Sequence, residues 1–230
     1  MQFRAATYNV HSYVGRDGIH DPGRVSEVIG ELGADVVGLQ EFIYPGDVTL
    51  DTRAPVVLTS LDHYQCALGP ARLTRAHHFG NALLTRHPLL EVHRLDLSMA
   101  RREARSALAA TIDVGGLTVH VLVAHLGLRV AERRFQVAQI LDYLGTVRYT
   151  RLVVLGDFND WLPGRSVARV LDARLGPLPR PRSFPARYPV VALDRVWVHP
   201  RHAFRHIATH ASPAARRASD HLPVVADIEW

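Results

Sequence analysis

Short apolar runs that each end in a polar or acidic side chain recur from one end of this chain to the other. They are Thr7-Tyr8-Asn9-Val10-His11, Gly38-Leu39-Gln40-Glu41, Val123-Ala124-His125-Leu126-Gly127, Leu155-Gly156-Asp157-Phe158-Asn159-Asp160 and Ala192-Leu193-Asp194-Arg195-Val196. A further cluster, Ser219-Asp220-His221-Leu222-Pro223, stands just before a last apolar run. Runs of this length and branched content read as buried strands, so each delivers its polar group to a strand end. Segments of helical period separate several of them. A chain built this way folds into sheets covered by helices.

The remaining elements follow from local signals. Phe3 to Asn9 is a first strand. Asp21-Pro22 offers an N-cap with proline at the first helical position, Val25, Val28, Ile29 and Leu32 supply the apolar stripe, and Gly33 is the stop. Asp35 to Gln40 is a strand delivering Glu41, and Tyr64–Leu68, Asn81–Thr85 and Ala107–Val114 are further strands. Gly115-Gly116 is a two-residue hairpin turn returning Leu117–Ala124. Val137, Ile140, Leu141 and Leu144 mark a helix over Val130–Leu144, which Gly145 is expected to end. A strand at Arg151–Leu155, a short helix at Ser166–Leu171, a proline-rich loop, and strands at Val191–Val198 and Leu222–Ile228 complete the reading. Hairpin-linked and helix-linked strands together imply mixed sheets. No linker interrupts the pattern, so residues 1–230 are expected to form one domain.

Composition sets the outer limits. At 230 residues with 47% hydrophobic and 21% charged, the chain has the makeup of a globular protein with a sizeable core. All 27 basic residues are arginine, and the net charge is +5. A positive surface suits an anionic partner, but the arginines are spread through loops and helices alike, as a GC-rich coding bias would spread them. Cys66 is the single cysteine, which excludes an intramolecular disulfide framework and reads as a small buried hydrophobe. The start shows no apolar leader, and the longest apolar stretch, Leu117 to Leu128, falls short of the roughly 20 residues that span a bilayer. A cytoplasmic monomer is expected.

The polar strand ends carry the chemistry. Carboxylates, amides and imidazoles gathered at one sheet edge make an oxygen-rich cluster suited to a hard cation such as Mg2+ or Mn2+. Such an ion polarises a phosphoryl oxygen, while a His–Asp pair handles the proton.

The ordered set Tyr8-Asn9, Gln40-Glu41, Gly80-Asn81, Ala124-His125-Leu126, Gly156-Asp157-Phe158-Asn159, Leu193-Asp194 and Ser219-Asp220-His221 resembles the endonuclease/exonuclease/phosphatase superfamily over essentially the whole chain. The resemblance implies an α/β fold, a four-layered α/β sandwich in which two mixed β-sheets pack face to face with helices outside. It implies Glu41 as principal Mg2+ ligand, with Asn9 beside it and Asp220 completing the shell. His221 is then the general base or phosphate-contacting imidazole, oriented by Asp194. Asp157 and Asn159 position the attacking water and a phosphate oxygen or hold a second metal, and His125 donates to the scissile phosphate. Arg105 is placed as a phosphate-binding cation, with a solvated basic run as the alternative. Asn81 orients a catalytic side chain or its loop, or binds the phosphate, with a buried amide that satisfies backbone as the alternative.

Two other patterns have weaker chemistry. His199, His202, His206 and His210 recur at helical intervals as zinc ligands would, but Pro200 and the strand-like Val196-Trp197-Val198 oppose a continuous helix. Glu132-Arg133-Arg134-Phe135-Gln136 reads as a helix start with a charged outer face. The expected activity is Mg2+-dependent hydrolysis of a phosphodiester, or of a phosphomonoester, by in-line attack of water. Phe184, Tyr188 and Trp161 either line a substrate pocket beside the metal, for a lipid head group, small molecule or nucleic acid, or anchor their loops on the sheet. The alternatives are a DNA endonuclease or exonuclease and a catalytically silent phosphate- or nucleic-acid-binding domain.

Overall fold

The computed structural model describes residues 1–46, 51–53, 61, 63–161 and 166–230, with backbone alone at 51–53. Along the chain run β1 (Gln2–Asn9), α1 (Pro22–Leu32), β2 (Val36–Pro45), β3 (Asp51–Arg53), β4 (Gln65–Leu73), β5 (His77–Thr85), β6 (Leu89–Asp96), β7 (Ser106–Val114) and β8 (Leu117–His125). There follow α2 (Val130–Thr146), β9 (Leu152–Asp157), α3 (Ala168–Leu175), β10 (Asp194–His199), β11 (Phe204–Thr209), α4 (Ala215–Ala218) and β12 (Val224–Glu229).

One sheet has the order β11-β12-β1-β2-β5-β4-β3 and the other β10-β9-β8-β7-β6. Both are mixed: β1–β2 and β8–β9 are parallel, and the remaining pairs are antiparallel. Strand period sorts the side chains into layers. Ala6, Val37, Leu39 and Leu84 pack under Val25, Val28, Ile29 and Leu32 of α1 and Ala215 and Ala218 of α4. Their neighbours Ala5, Val36 and Leu83 turn inward to meet Leu108, Val121, Val123, Val153 and Leu155 of the second sheet. On that sheet's outer face Leu122, Leu152 and Val154 pack against Val137, Ile140 and Leu144 of α2 and Leu171 of α3. The result is the four-layered sandwich expected from the sequence.

Two glycines permit close approach. A Cβ at Gly38 would lie 2.1 Å from Leu155 Cδ1, in the seam between the sheets. At Gly156, with φ of 150°, it would lie 1.9 Å from the Ala124 carbonyl oxygen of the neighbouring strand.

Several boundaries differ from the sequence reading. Helix α1 keeps its cap, since Asp21 Oδ1 accepts from Gly23 N and Gly33 closes it in a left-handed conformation. The Gly115-Gly116 turn has both residues at positive φ and pairs Val114 with Leu117. Helix α2 passes through Gly145 and ends on extended Val147, because no left-handed residue follows there to turn the chain. Helix α3 starts at Ala168 rather than Ser166, since the Asp160 carboxylate accepts from Ala168 N and Ser166 Oγ and so fixes the start from outside the helix. Strand β10 begins at Asp194; Val191 instead bridges to Phe184. The histidine series is not helical: His199 ends β10, His206 lies in β11 beside Asp227, and His210 binds Glu31 at 2.7 Å. Among the described residues these imidazoles form no metal cluster. No described helix is long and apolar enough to cross a membrane.

Candidate active site

Strand register gathers the polar strand ends at one edge. In the second sheet His125 pairs with Asp157 and Asp157 with Asp194, while Arg105 directly precedes β7, whose Ala107 pairs with Ala124 at the end of β8. In the first sheet Asn9 pairs with Gln40, and the 219–221 loop is tied to the end of β1 by the bond from Ser219 Oγ to the Asn9 carbonyl, 2.8 Å.

Glu41 is aimed by a bulge. Leu39 pairs with Ala82 and Phe42 with Gly80, so Gln40 and Glu41 together oppose Asn81, and Glu41 takes a φ of 54°. A non-glycine residue in that region carries local strain, which collects at functional sites. Asn159, with φ of 49°, is a second instance.

Asn9 is the junction of the two sheets. Its Nδ2 donates to Glu41 Oε1 at 3.0 Å and to Asp157 Oδ2 at 3.1 Å. Asp157 Oδ1 accepts from Asn159 N at 2.9 Å, and Asp157 Oδ2 lies 3.6 Å from His125 Nε2 and 3.8 Å from His221 Nε2. His221 Nδ1 meets Asp194 Oδ2 at 2.9 Å, and the same carboxylate oxygen accepts from Ser183 Oγ. The Phe184 ring packs on His221 with centroids 4.9 Å apart. Asp220 faces His11 at 3.8 Å.

The charge balance at this edge is unusual. Burial and the neighbouring Asp157 and Asp220 charges push the Glu41 carboxyl up, against the Asn9 hydrogen bond. Burial opposes charging of His221, yet the Asp194 charge and hydrogen bond, with Asp157 and Asp220 behind them, raise it to about 10. Burial and the Arg105 cation lower His125 to about 3, so its imidazole is neutral. The carboxylates of Glu41, Asp157, Asp194 and Asp220 therefore face two cationic groups, His221 and Arg105. Ligand atoms of Asp157, Asp194 and His221 lie within 4.8 Å of one another, a spacing that would hold a metal ion. The Glu41, Asn9 and Asp220 oxygens offer the harder donor set beside it.

The sequence set thus converges, with two members held differently from the rest. Arg105, 6% exposed, directs Nη1 to His125 Nδ1 at 3.2 Å and Nη2 to Glu103 at 2.8 Å. Asn81 donates to Ser106 O at 2.7 Å and Ser106 Oγ at 3.1 Å, and its Oδ1 is buried without a partner among the described residues. Trp161 and Tyr188 are exposed, while Phe184 touches the site.

Sequence reasoning missed several groups. Glu132, Arg133 and Gln136 are buried rather than forming an outer charged face. A stripe of three polar residues at i, i+1 and i+4 carries no hydrophobic signature, so the pattern that finds helices hides them. Ser183, His11 and Ser219 were given no role, although His11 and Ser219 stand in the quoted runs and Ser183 directly precedes Phe184.

A sequence model of the "Endonuclease/Exonuclease/phosphatase family" matches residues 6–221. The chain is 29% identical over 251 aligned positions to "Uncharacterized protein YbhP" of Escherichia coli strain K12, covering 99% of this chain and 96% of that protein. Its fold is similar to the endonuclease/exonuclease/phosphatase of Beutenbergia cavernae (TM-score 0.73, 25% identity, 99% of this chain and 71% of that one). It is also similar to the D. rerio TDP2 solved with a single-strand DNA product (TM-score 0.71, 18% identity, 100% and 99% of the two chains). With the matched span enclosing every strand end of the site, the chain belongs to the endonuclease/exonuclease/phosphatase family.

Proposed function

We propose that this chain is a Mg2+-dependent phosphodiesterase, acting as a cytoplasmic monomer on a phosphate ester by in-line attack of water. The observation that carries the reading is the junction at Asn9, where one amide joins Glu41 of one sheet to Asp157 of the other, with the Asp194–His221 pair alongside. Glu41, Asn9 and Asp220 would hold the ion, and the surplus of carboxylates over cations is what a divalent ion would balance. When bound, the ion supplies positive charge that polarises a phosphoryl oxygen and offsets the carboxylates that keep the His221 proton in place.

The side chains divide the remaining work. Asp194 fixes the His221 ring through Nδ1, leaving Nε2 facing the site to exchange a proton with water or a phosphoryl oxygen. Asp157 and Asn159 orient the attacking water. Arg105 donates to His125 at Nδ1, and the ring's Nε2, 3.3 Å from Asn159 Nδ2 and 3.6 Å from Asp157 Oδ2, is the nitrogen that would donate to the charge that builds on the phosphate. A silent binding domain has no use for this oriented pair.

The test is hydrolysis of bis(p-nitrophenyl) phosphate with Mg2+, Mn2+ and EDTA. Glu41→Gln and His221→Ala are expected to abolish metal-dependent turnover while circular dichroism shows the fold intact; unchanged turnover in both variants refutes the assignment. Plasmid DNA, abasic oligonucleotide, sphingomyelin and inositol phosphates then separate the substrate classes, and the DNA arms decide the nuclease alternative.

A further inference from the structure

Behind the catalytic edge lies a group of buried charges that the proposed chemistry does not use. Arg133 of α2 is 1% exposed. Its Nη1 donates to the carbonyls of Gly127 at 3.3 Å and Leu128 at 2.7 Å, in the loop that leaves His125. Its Nε lies 3.8 Å from Asp160 Oδ1, in the loop that leaves Asp157 and Asn159. Asp160, also 1% exposed, offers its backbone carbonyl to Nη2 of Arg195, the residue next to Asp194. Gln136, one helical turn beyond Arg133, accepts from Gly127 N at 2.8 Å and donates to the Leu97 carbonyl at 3.1 Å.

These charges are poorly compensated as a packing solution. Arg133 Nε and Nη2, Asp160 Oδ1 and Arg195 Nε and Nη1 are all buried without hydrogen-bond partners among the described residues. Desolvated charge of this kind costs stability, and apolar residues of equal volume commonly pack better. What apolar residues would not do is connect the backbone carbonyls of one loop to a side chain of the next with fixed direction.

We propose that Arg133, Asp160 and Arg195 form a buried ionic brace that fixes the loops leaving β8 after His125 and β9 after Asp157, the second with Asn159, against each other and against the start of β10 at Asp194. Arg133 and Asp160 are thereby positioning residues for the proposed hydrolysis, and the inference rests on that reading. The mechanism is indirect: neither group touches the phosphate. Displacements of about 1 Å at catalytic groups reduce turnover by about a hundredfold, so a brace acts on rate rather than on substrate binding.

The test uses Arg133→Lys, which keeps the charge but loses the forked geometry, and Asp160→Asn, which keeps the shape and loses the charge. Both are expected to lower kcat on bis(p-nitrophenyl) phosphate about 10- to 100-fold with KM within about twofold. Amide exchange at Leu126, Gly127 and Asn159 should quicken about tenfold or more relative to the amides of β1. Unchanged kcat, or exchange that quickens equally along the whole chain, overturns the brace. If either variant fails to fold, the neutral pair Arg133→Met with Asp160→Leu replaces it. Low kcat in that folded protein supports the proposal, and restored kcat refutes it. If the wild-type protein hydrolyses no ester, the functional reading fails by itself, and the exchange pattern alone decides the brace.

Discussion

Asn9 divides one amide between Glu41 and Asp157, carboxylates on different sheets that repel each other when both are ionised. Its identity was legible in the sequence because few side chains end a strand with a neutral donor. Arg133 was not legible, since an arginine in a helix ordinarily faces water and nothing in its neighbours shows the buried loop carbonyls awaiting it. At the surface, Asp17 ties the 15–20 loop to Arg24 of α1 and Arg217 of α4. Its hydrogen bonds from Arg24 and from Ile19 N, with Arg217 adding to them, lower its carboxyl to about 2. A carboxyl lowered on folding contributes stability that is full above its ordinary value of 3.8 and is lost as pH falls through about 2. Asp17→Asn should therefore lower the thermal midpoint slightly at neutral pH, and the difference from wild type should shrink on acidification below 3.8 and vanish below about pH 2. A difference that grows in acid would contradict this account.

At the level of elements, the signals that held are those with a specific geometric requirement. Asp21-Pro22 capped α1, and Gly115-Gly116 set the register of β7 and β8. Strand β6 was passed over because it is largely exposed, and β11 because its His206 belongs to a histidine series with helical spacing. The Gly145 stop failed because glycine permits a left-handed turn without compelling one. Gly38 had no signal at all: its need for hydrogen in place of a side chain arises only when the second sheet arrives. Gly38→Ala would put a methyl 2.1 Å from Leu155 Cδ1 and is expected to cost about 1–3 kcal/mol by overpacking, read from urea unfolding. A variant as stable as wild type would mean that the seam between the sheets yields freely.

The whole molecule is two sheets whose polar edges coincide, so the site forms only when the layers dock. That coincidence was readable as a list of residues, whereas the contacts between them needed the packing. A ligand held by the assembled site must stabilise the assembly. With Mg2+ at about 100 times its Kd the gain is about 2.7 kcal/mol, or roughly 5–10 °C in thermal midpoint for a chain of this size. EDTA should remove the gain and Glu41→Gln should prevent it; an equal Mg2+ shift in that variant would place the ion elsewhere. The bulge in β2 reaches furthest of all. Leu39 and Phe42 point into the same layer although they stand an odd number of positions apart, so the strand is two halves of opposite parity joined at Gln40 and Glu41. Deleting either residue would set two steps of β2 against two of β5, so Phe42 and Tyr44 would keep their layer while the bulge that turns Glu41 out would be gone. The geometry that presents the acid thus hangs on one residue more than the core needs, and a chain that loses it keeps its layers and loses its chemistry.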